Sequence, residues 1–129
     1  MTEKPKEPFE EWFQKAGEDE LSCGTLIHEG GASSTACFLA QQMAEKYLKG
    51  FLVWHKIRFP KVHDLLELAT LLIKTTPDIE TIRDKLILLN RYYIETRYPG
   101  GYPVFSGEDA RQAFEAALSI RQFVMEKIR

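Results

Sequence analysis

Apolar residues recur at intervals of three and four positions along most of this chain, which is the spacing of α-helices with one buried face. The first run predicts a helix over 9–28. The second, over 35–56, is apolar around more than half of its circumference, which is typical of a central helix packed by neighbours on two sides. Further runs predict a short helix over 64–74, a fourth over 77–96 and a fifth from 107 to the C-terminus.

Residues that start and end helices support these boundaries. Ser33 or Ser34 can cap the second helix, after two glycines that suit a left-handed helix end. Thr76 precedes a proline at the first position of the fourth helix, and Ser106 with Asp109 three residues later resembles a capping box for the fifth. Because no segment alternates with a period of two, we expect an all-α, up-and-down bundle of four to five helices.

The length of the chain bounds its domain organisation. With 129 residues it suits one domain, which can bury a core without disulfides or metals. Residues 1–8 are polar and carry two prolines, so we expect a flexible N-terminal tail followed by a single helical domain over 9–129. No run approaches the ~18 uninterrupted apolar residues of a membrane span, and no leader-like segment opens the chain. We therefore expect a cytoplasmic protein without membrane contact.

Charge is distributed unevenly along the chain. The formal net charge is −2, so binding to a nucleic acid would need a local basic patch. Five cations and no acid lie between positions 46 and 63, whereas the first twenty residues hold seven acids and three lysines. The basic stretch suits an anionic partner, although a solvated surface with a basic loop is the simpler interpretation.

Residues that could catalyse a reaction or hold a metal are scattered. The chain has none of the common phosphate-binding, dinucleotide-binding, zinc-protease or hydrolase motifs. His28, His55 and His63 form no i, i+4 pair, so we expect structural or surface roles, a helix-start role for His63, and no metal or cofactor. Cys23 and Cys37 lack ligand spacing and fall at apolar helical positions, which predicts buried free thiols.

The segment RYYIETRYPGGYPVF ends the predicted fourth helix and opens the longest loop. On a continuing helix, Arg91 and Tyr98 share one face. Arg97 follows at the helix end, and the bend at two glycines can bring Tyr102 near both guanidiniums. Arginine clamps phosphates bidentately, and tyrosine rings stack on bases at roughly 1–3 kcal/mol each. The segment is therefore either a nucleotide or RNA site made by Arg91, Arg97, Tyr98 and Tyr102, or a packed corner between two helices.

Four segments in this order resemble one known family: EEWFQKAGEDEL, ACFLAQQMAEKYLKGFLVWHKI, VHDLLEL and NRYYIETRYPG. Together they resemble the HEPN domain over about 9–129. The resemblance implies a four- to five-helix up-and-down bundle similar to the helical domain of some antibiotic nucleotidyltransferases. It also implies a homodimer formed through the central helices, and a minimal nucleotidyltransferase as partner, in some pairs as toxin and antitoxin.

The resemblance also implies a site. Many family members are metal-independent RNases with a motif Arg-x4-6-His, in some cases followed by a tyrosine. Carried onto this chain, Arg91 takes the arginine position, Tyr98 the tyrosine position, and Thr96 stands where the histidine would be. The threonine hydroxyl does not titrate near neutral pH, so it cannot act as a general acid or base there. Losing a general acid or base typically lowers the rate of catalysis by a factor of ~10²–10⁴. The chain thus resembles an RYP subclass with little or no catalysis.

Three interpretations stay open at the level of sequence. The first is a homodimer that binds a nucleotide or RNA at the Arg91–Tyr98 corner and pairs with a minimal nucleotidyltransferase. The second is a metal-independent RNase toxin in which Glu95 or one of the three histidines replaces the missing histidine. The third is a protein-interaction module in which Arg91, Tyr98 and Tyr102 anchor the dimer or its partner, because arginine and tyrosine are favoured interface anchors.

Overall fold

Helices make up most of the computed structural model, which describes residues 6–93 and 104–128. Along the chain they are α1 (Pro8–His28), α2 (Ser33–Trp54), α3 (Leu65–Thr70), a 3₁₀ helix (Pro77–Ile82), α4 (Arg83–Asn90) and α5 (Gly107–Lys127). Neither described range contains a strand, and neither contains a helix with the length and hydropathy needed to cross a membrane. The predicted all-α class is therefore confirmed. Residues 1–5 of the predicted tail lie outside the described residues.

Helix α2 is the centre of the bundle, as its wide apolar face predicted, and it contacts each of the other four α-helices. Its fully buried apolar side chains are Cys37, Ala40, Met43, Ala44, Leu48, Phe51 and Leu52. Burial of one large apolar side chain contributes about 1.5–3 kcal/mol, so this helix supplies a large share of the core. Because α2 is covered on several sides, three of its polar side chains are buried as well, those of Gln41, Glu45 and Lys49.

The connection between α1 and α2 is short and sharply bent. Gly30 has a φ of +70°, and the Gly31 N–H donates to the Leu26 carbonyl oxygen at 2.7 Å. This left-handed helix end is the one the two glycines predicted. The predicted serine cap is wrong, however, because Ala32 holds the extended position before α2 and no side chain caps it. A cap must come from that extended residue, and Ser33 is already helical.

The other helix starts are mixed in outcome. Ser106 and Asp109 form the predicted capping box, with reciprocal bonds of 3.1 and 2.8 Å between each backbone N–H and the other side chain. Thr76 holds the predicted N-cap position before Pro77, but its side chain caps no N–H group and its hydroxyl oxygen lies 3.5 Å from His55 Nε2. Helix α3 is capped by Asp64, whose carboxylate accepts from the N–H groups of the second and third helical residues. The helix-start role predicted for His63 is therefore wrong.

The predicted helix over 77–96 is wrong in its first part and ends earlier within the described residues. Residues 77–82 form a 3₁₀ helix, in which side chains three apart eclipse one another, so Ile79 and Ile82 both reach the core. The following α-helix ends at Asn90, where the Tyr92 N–H bonds to the Leu89 carbonyl oxygen and a turn begins. Similarly, the predicted helix over 64–74 ends at Thr70 and continues as turns.

Two helical glycines should respond oppositely to alanine. A Cβ at Gly50 would lie 2.6 Å from Phe13 and 3.0 Å from the Trp12 Cβ, so Gly50 sets the close approach of α1 and α2. A Cβ at Gly17 would meet nothing within 4 Å. We expect Gly17→Ala to raise the free energy of unfolding by about 0.5–1 kcal/mol through helix propensity. Gly50→Ala should lower it, because overpacking costs about 1–3 kcal/mol. Urea unfolding of both variants checks this, and equal gains would contradict the close packing.

The two cysteines are free and buried, as predicted. Burial raises the pKa of Cys23 to about 12 and that of Cys37 to about 11, so both remain protonated at neutral pH. We expect neither thiol to react with an aromatic disulfide reagent in the native protein, and both to react after unfolding in urea, because the thiolate is the nucleophile. Fast labelling of the native protein would contradict this prediction, and a free-cysteine peptide provides the control.

Candidate functional site

Arg91 lies where α4 ends and its side chain is exposed. Its guanidinium carbon is 5.4 Å from the centre of the Tyr92 ring and 5.2 Å from that of the Phe105 ring. These two rings are buried and meet edge to face, with centres 4.9 Å apart. Attraction between a cation and the ring faces, worth about 0.5–2 kcal/mol, holds the guanidinium at the surface. Arg91 is therefore a positioned cation whose side chain reaches the surface.

The start of α5 lies within electrostatic reach of Arg91. Hydrogen bonds from the Ser106 backbone and side chain lower the pKa of the Asp109 carboxyl, and the positive charge of Arg91 lowers it further. The same charge acts on the buried thiol of Cys37 in α2. Arg91 thus stands at a corner where α2, α4 and the N-terminus of α5 come together, and the first turn of α5 already carries the carboxylates of Glu108 and Asp109.

The other predicted site residues, Arg97, Tyr98 and Tyr102, lie outside the described residues, and so do Glu95 and Thr96. Their grouping with Arg91 stays a prediction. The grouping assumed one continuous helix, but the described α4 ends at Asn90 and Arg91 to Tyr93 form a turn. The prediction that Arg91 and Tyr98 share a helical face requires the helix to continue through Arg91, and it does not.

A row of buried polar residues on α2 was not anticipated from the sequence. Gln41 is 0%, Glu45 4% and Lys49 6% exposed. Lys49 Nζ lies 2.9 Å from Glu45 Oε2, and Gln41 Nε2 donates to Glu45 Oε1 at 3.2 Å. The ammonium of Lys49 also lies 5.7 Å from the Trp12 ring centre and 5.9 Å from that of Phe59. A carboxylate and an ammonium withdrawn from water are tolerated here because each is paired and hydrogen-bonded.

His63 completes this cluster from the segment before α3. Its Nδ1 lies 3.1 Å from both carboxylate oxygens of Glu45, and its carbonyl oxygen accepts from Gln41 Nε2 at 3.2 Å. Its ring stacks on that of Tyr93, with ring centres 4.0 Å apart and an interplanar angle of 17°. The ring centre of Tyr93 in turn lies 6.1 Å from that of Phe38. The imidazole is thus fixed in orientation while its side chain stays 46% exposed.

Hydrogen bonds tie the end of α4 to the start of α3. Asn90 Nδ2 donates to Asp64 Oδ1 at 2.9 Å, and Asn90 Oδ1 accepts from the Leu65 N–H at 2.8 Å. Asn90 immediately precedes Arg91, and Asp64 immediately follows His63. These bonds, together with the His63–Tyr93 stack, hold the segment of Arg91 and the segment of His63 beside each other.

The two other histidines take no part in this arrangement. His28 is exposed at the end of α1. His55 packs edge to face against Phe51 and Trp54, with ring centres 4.6 and 4.9 Å apart, and burial lowers its pKa. Within 6–93 and 104–128, no group of three His, Cys, Asp or Glu side chains could hold a metal ion.

One sequence signal could have revealed the buried cluster. Gln41, Glu45 and Lys49 recur every four residues in the middle of the most apolar helix, which places them on one face. A polar row that interrupts a buried face is informative, because each member needs a partner there. The partner His63 could not be found in this way, since only the chain reversal after α2 brings it back to Glu45.

Comparison with known proteins agrees with the fold. The crystal structure of TT1696 from Thermus thermophilus superposes with a TM-score of 0.82 at 28% identity, over 92% of this chain and 97% of that one. The structure of ST0689, an archaeal HEPN homologue, superposes with a TM-score of 0.76 at 27% identity, over 96% and 100%. Among curated proteins, none matches this chain.

The family is settled by the extent of the sequence match. The model of the HEPN domain matches residues 9–128, which run from the first turn of α1 past the end of α5. That range takes in every helix described above, including the buried row on α2 and the corner at Arg91. This chain therefore belongs to the HEPN domain family.

Proposed function

We propose that this HEPN protein is a cytoplasmic homodimer that binds a nucleotide or RNA at the Arg91 corner, with Arg97, Tyr98 and Tyr102 as further ligand-binding residues. Residues 9–129 act as one domain, and a minimal nucleotidyltransferase is the partner, in a pair of the toxin–antitoxin kind. Efficient catalysis is not part of the proposal, because Thr96 stands where the RNases of the family have their histidine. No cofactor or metal is required.

The observation that carries the proposal is the position of Arg91. An exposed arginine at a helix end is usually mobile, but here two buried rings fix the guanidinium. A fixed guanidinium loses less conformational entropy on binding a phosphate, which it can grip with two parallel hydrogen bonds. The HEPN relationship is consistent with a nucleotide- or RNA-related ligand.

Arg91→Ala tests the binding site. Loss of a charge-assisted contact of about 1.5–3 kcal/mol should weaken binding of a labelled nucleotide or short RNA by roughly 10- to 100-fold. Arg83→Ala, which removes an exposed arginine from the other end of α4, should leave the affinity unchanged. Fluorescence anisotropy measures both. Equal affinity for the parent and Arg91→Ala would show that the corner is not the ligand site.

Oligomeric state separates binding from pure interaction. Light scattering should give twice the mass of one chain for the parent and for Arg91→Ala alike, if the arginine serves a ligand. A monomeric Arg91→Ala variant with normal helicity would instead support the interpretation that Arg91 anchors the dimer.

Co-expression with a minimal nucleotidyltransferase, followed by purification through a tag on the nucleotidyltransferase, tests the proposed partner.

A second candidate is the metal-independent RNase, and one observation favours it. His63 has Nδ1 against the buried carboxylate of Glu45, an arrangement that orients an imidazole for proton transfer at its other nitrogen. It lies on a segment that is tied to the segment of Arg91. Cleavage of RNA in EDTA by the parent, but not by His63→Gln or Arg91→Ala, would establish this activity. Without cleavage by the parent, the binding function stands alone.

A further inference from the structure

The segment between α2 and α3 presents its cations outward. Lys56, Arg58 and Lys61 are exposed, whereas Ile57, Phe59 and Val62 point inward and pack against the core. The alternation gives this segment, which we call the basic loop (residues 56–63), one apolar and one cationic side. Lys56 adopts a φ of +60°, which a non-glycine residue rarely does, so the chain turns sharply where the loop begins.

The inner side of the basic loop is anchored. The ring of Phe59 contacts that of Trp12 edge to face at 6.2 Å, and the buried ammonium of Lys49 lies near both. At the far end, Gln41 binds the His63 carbonyl oxygen and Glu45 binds its ring. A loop held at these points presents its outward side chains from a fixed backbone, which lowers the entropic cost of binding.

Within the described part of the chain, the outward cations of the loop lack ion-pair partners. Two other lysines of the basic stretch are paired, Lys46 with Asp19 at 2.5 Å and Lys49 with Glu45 at 2.9 Å. By contrast, Lys56, Arg58 and Lys61 form no ion pair with any residue of the ranges 6–93 and 104–128. In a chain of net charge −2, this loop is a local positive patch of the kind that binds polyanions.

His63 ends the basic loop with a ring suited to stacking. One face of its imidazole is covered by Tyr93, and its Nδ1 edge is turned to Glu45. The 46% of the side chain that is exposed is therefore the opposite face and the remaining edge. An aromatic ring that is fixed, backed by a second ring and open on one face is a platform for a nucleobase.

From these features we propose that the basic loop and the exposed face of His63 form a single-stranded RNA subsite, in which Lys56, Arg58 and Lys61 contact phosphates and one base stacks on His63. This subsite rests on the RNA binding of the proposed function, and Tyr93, two residues after Arg91, connects the stacking platform to the Arg91 corner. The ligand is thereby a strand of several nucleotides rather than a free mononucleotide.

The basic loop and His63 together should distinguish single-stranded RNA from other polyanions. A duplex keeps its bases stacked inside, so it offers phosphates but no free base face for His63. An acidic polypeptide offers charges but no ring system. Only a single strand uses the cations and the stacking platform together, and site-by-site variants can measure the two contributions separately.

The test uses a short fluorescent 2′-O-methyl RNA, which cannot be cleaved through its 2′-hydroxyls, and measures anisotropy at several salt concentrations. His63→Asn places an amide N–H where Nδ1 faces Glu45 but removes the ring, and should weaken binding roughly 5- to 150-fold, the value of one base stack. Arg58→Ala/Lys61→Ala should lower the slope of log affinity against log salt by about 1.4, for two lost phosphate contacts. Arg83→Ala/Lys85→Ala removes the same charge from α4 and should leave affinity and slope unchanged.

The outcomes separate this subsite from the proposed function. If Arg91→Ala weakens RNA binding but the loop variants do not, the subsite is wrong and the Arg91 site stands. If the loop variants weaken it and Arg91→Ala does not, the subsite stands and the Arg91 site is wrong. Equal affinity for the matching duplex or for polyglutamate overturns the single-strand assignment, and a parent that binds no RNA overturns both proposals.

Discussion

Replacing Glu45 with alanine should lower the free energy of unfolding by about 3–5 kcal/mol, the usual cost of removing one partner of a buried ion pair. Glu45 and Lys49 are 4% and 6% exposed, and their charged groups lie 2.9 Å apart. Without the carboxylate, the ammonium of Lys49 stays buried with only ring faces near it. His63 and Gln41 lose an acceptor in the same variant. Urea unfolding followed by circular dichroism measures the loss.

A matched control is available on α1. Glu18 pairs with Lys15 at 3.8 Å, and their side chains are 58% and 68% exposed. Glu18→Ala should cost less than about 1 kcal/mol, because solvent screens an exposed pair. The double variant Glu45→Leu/Lys49→Met should recover most of the stability, since replacing both charges leaves none unpaired. If Glu45→Ala costs no more than Glu18→Ala, then water reaches Lys49 and the pair is not buried in solution.

Leu48→Ala should lower the free energy of unfolding by about 2–5 kcal/mol, which combines lost burial with the cavity that remains. Leu48 is fully buried on α2, the helix that contacts every other α-helix of the described chain. Its neighbours belong to a single core cluster drawn from α1, α2, α3, α4 and α5, so they cannot collapse into the space without moving whole helices. Thermal or urea unfolding provides the measurement.

The same substitution on the surface isolates the effect of burial. Leu21 on α1 is 73% exposed, so Leu21→Ala should change the free energy of unfolding by less than about 0.5 kcal/mol. Both positions lie inside long helices, and the exchange of residue type is identical. Similar losses for the two variants would mean that Leu21 is buried in solution, as in a dimer interface that includes the exposed face of α1.

The stability of the Glu45 cluster bears directly on function. Glu45 orients His63, His63 stacks on Tyr93, and Tyr93 belongs to the turn that carries Arg91. A variant that loosens Glu45 should therefore also disturb the surface proposed for RNA. For this reason His63→Asn, which keeps an N–H donor at the Nδ1 position beside Glu45, is the cleaner probe of binding, and Glu45→Ala is the cleaner probe of stability.

Helix periodicity by itself determined the fold class, the central role of α2, the buried free cysteines and the capping box at Ser106. These features depend on residues that are near each other in the chain, where spacing alone fixes which side chains share a face. The order of four local segments likewise carried the HEPN resemblance, which the family match over 9–128 confirms. Arg91 was singled out as a site residue, which stays a prediction, but the sequence placed it inside a helix that runs to 96, whereas the structure ends α4 at Asn90.

Only the tertiary structure decided the helix type of residues 77–82 and the contacts between side chains of different segments. It made residues 77–82 a 3₁₀ helix with Ile79 and Ile82 buried, although residues three apart also share a face on the α-helix that the sequence predicted. It brought His63 to Glu45, eighteen positions away along the chain, and stacked it on Tyr93 from another segment. Such contacts join residues that are far apart in the sequence, so local spacing cannot predict them. Their stabilising free energy comes from burial and pairing that exist only when the whole bundle has formed.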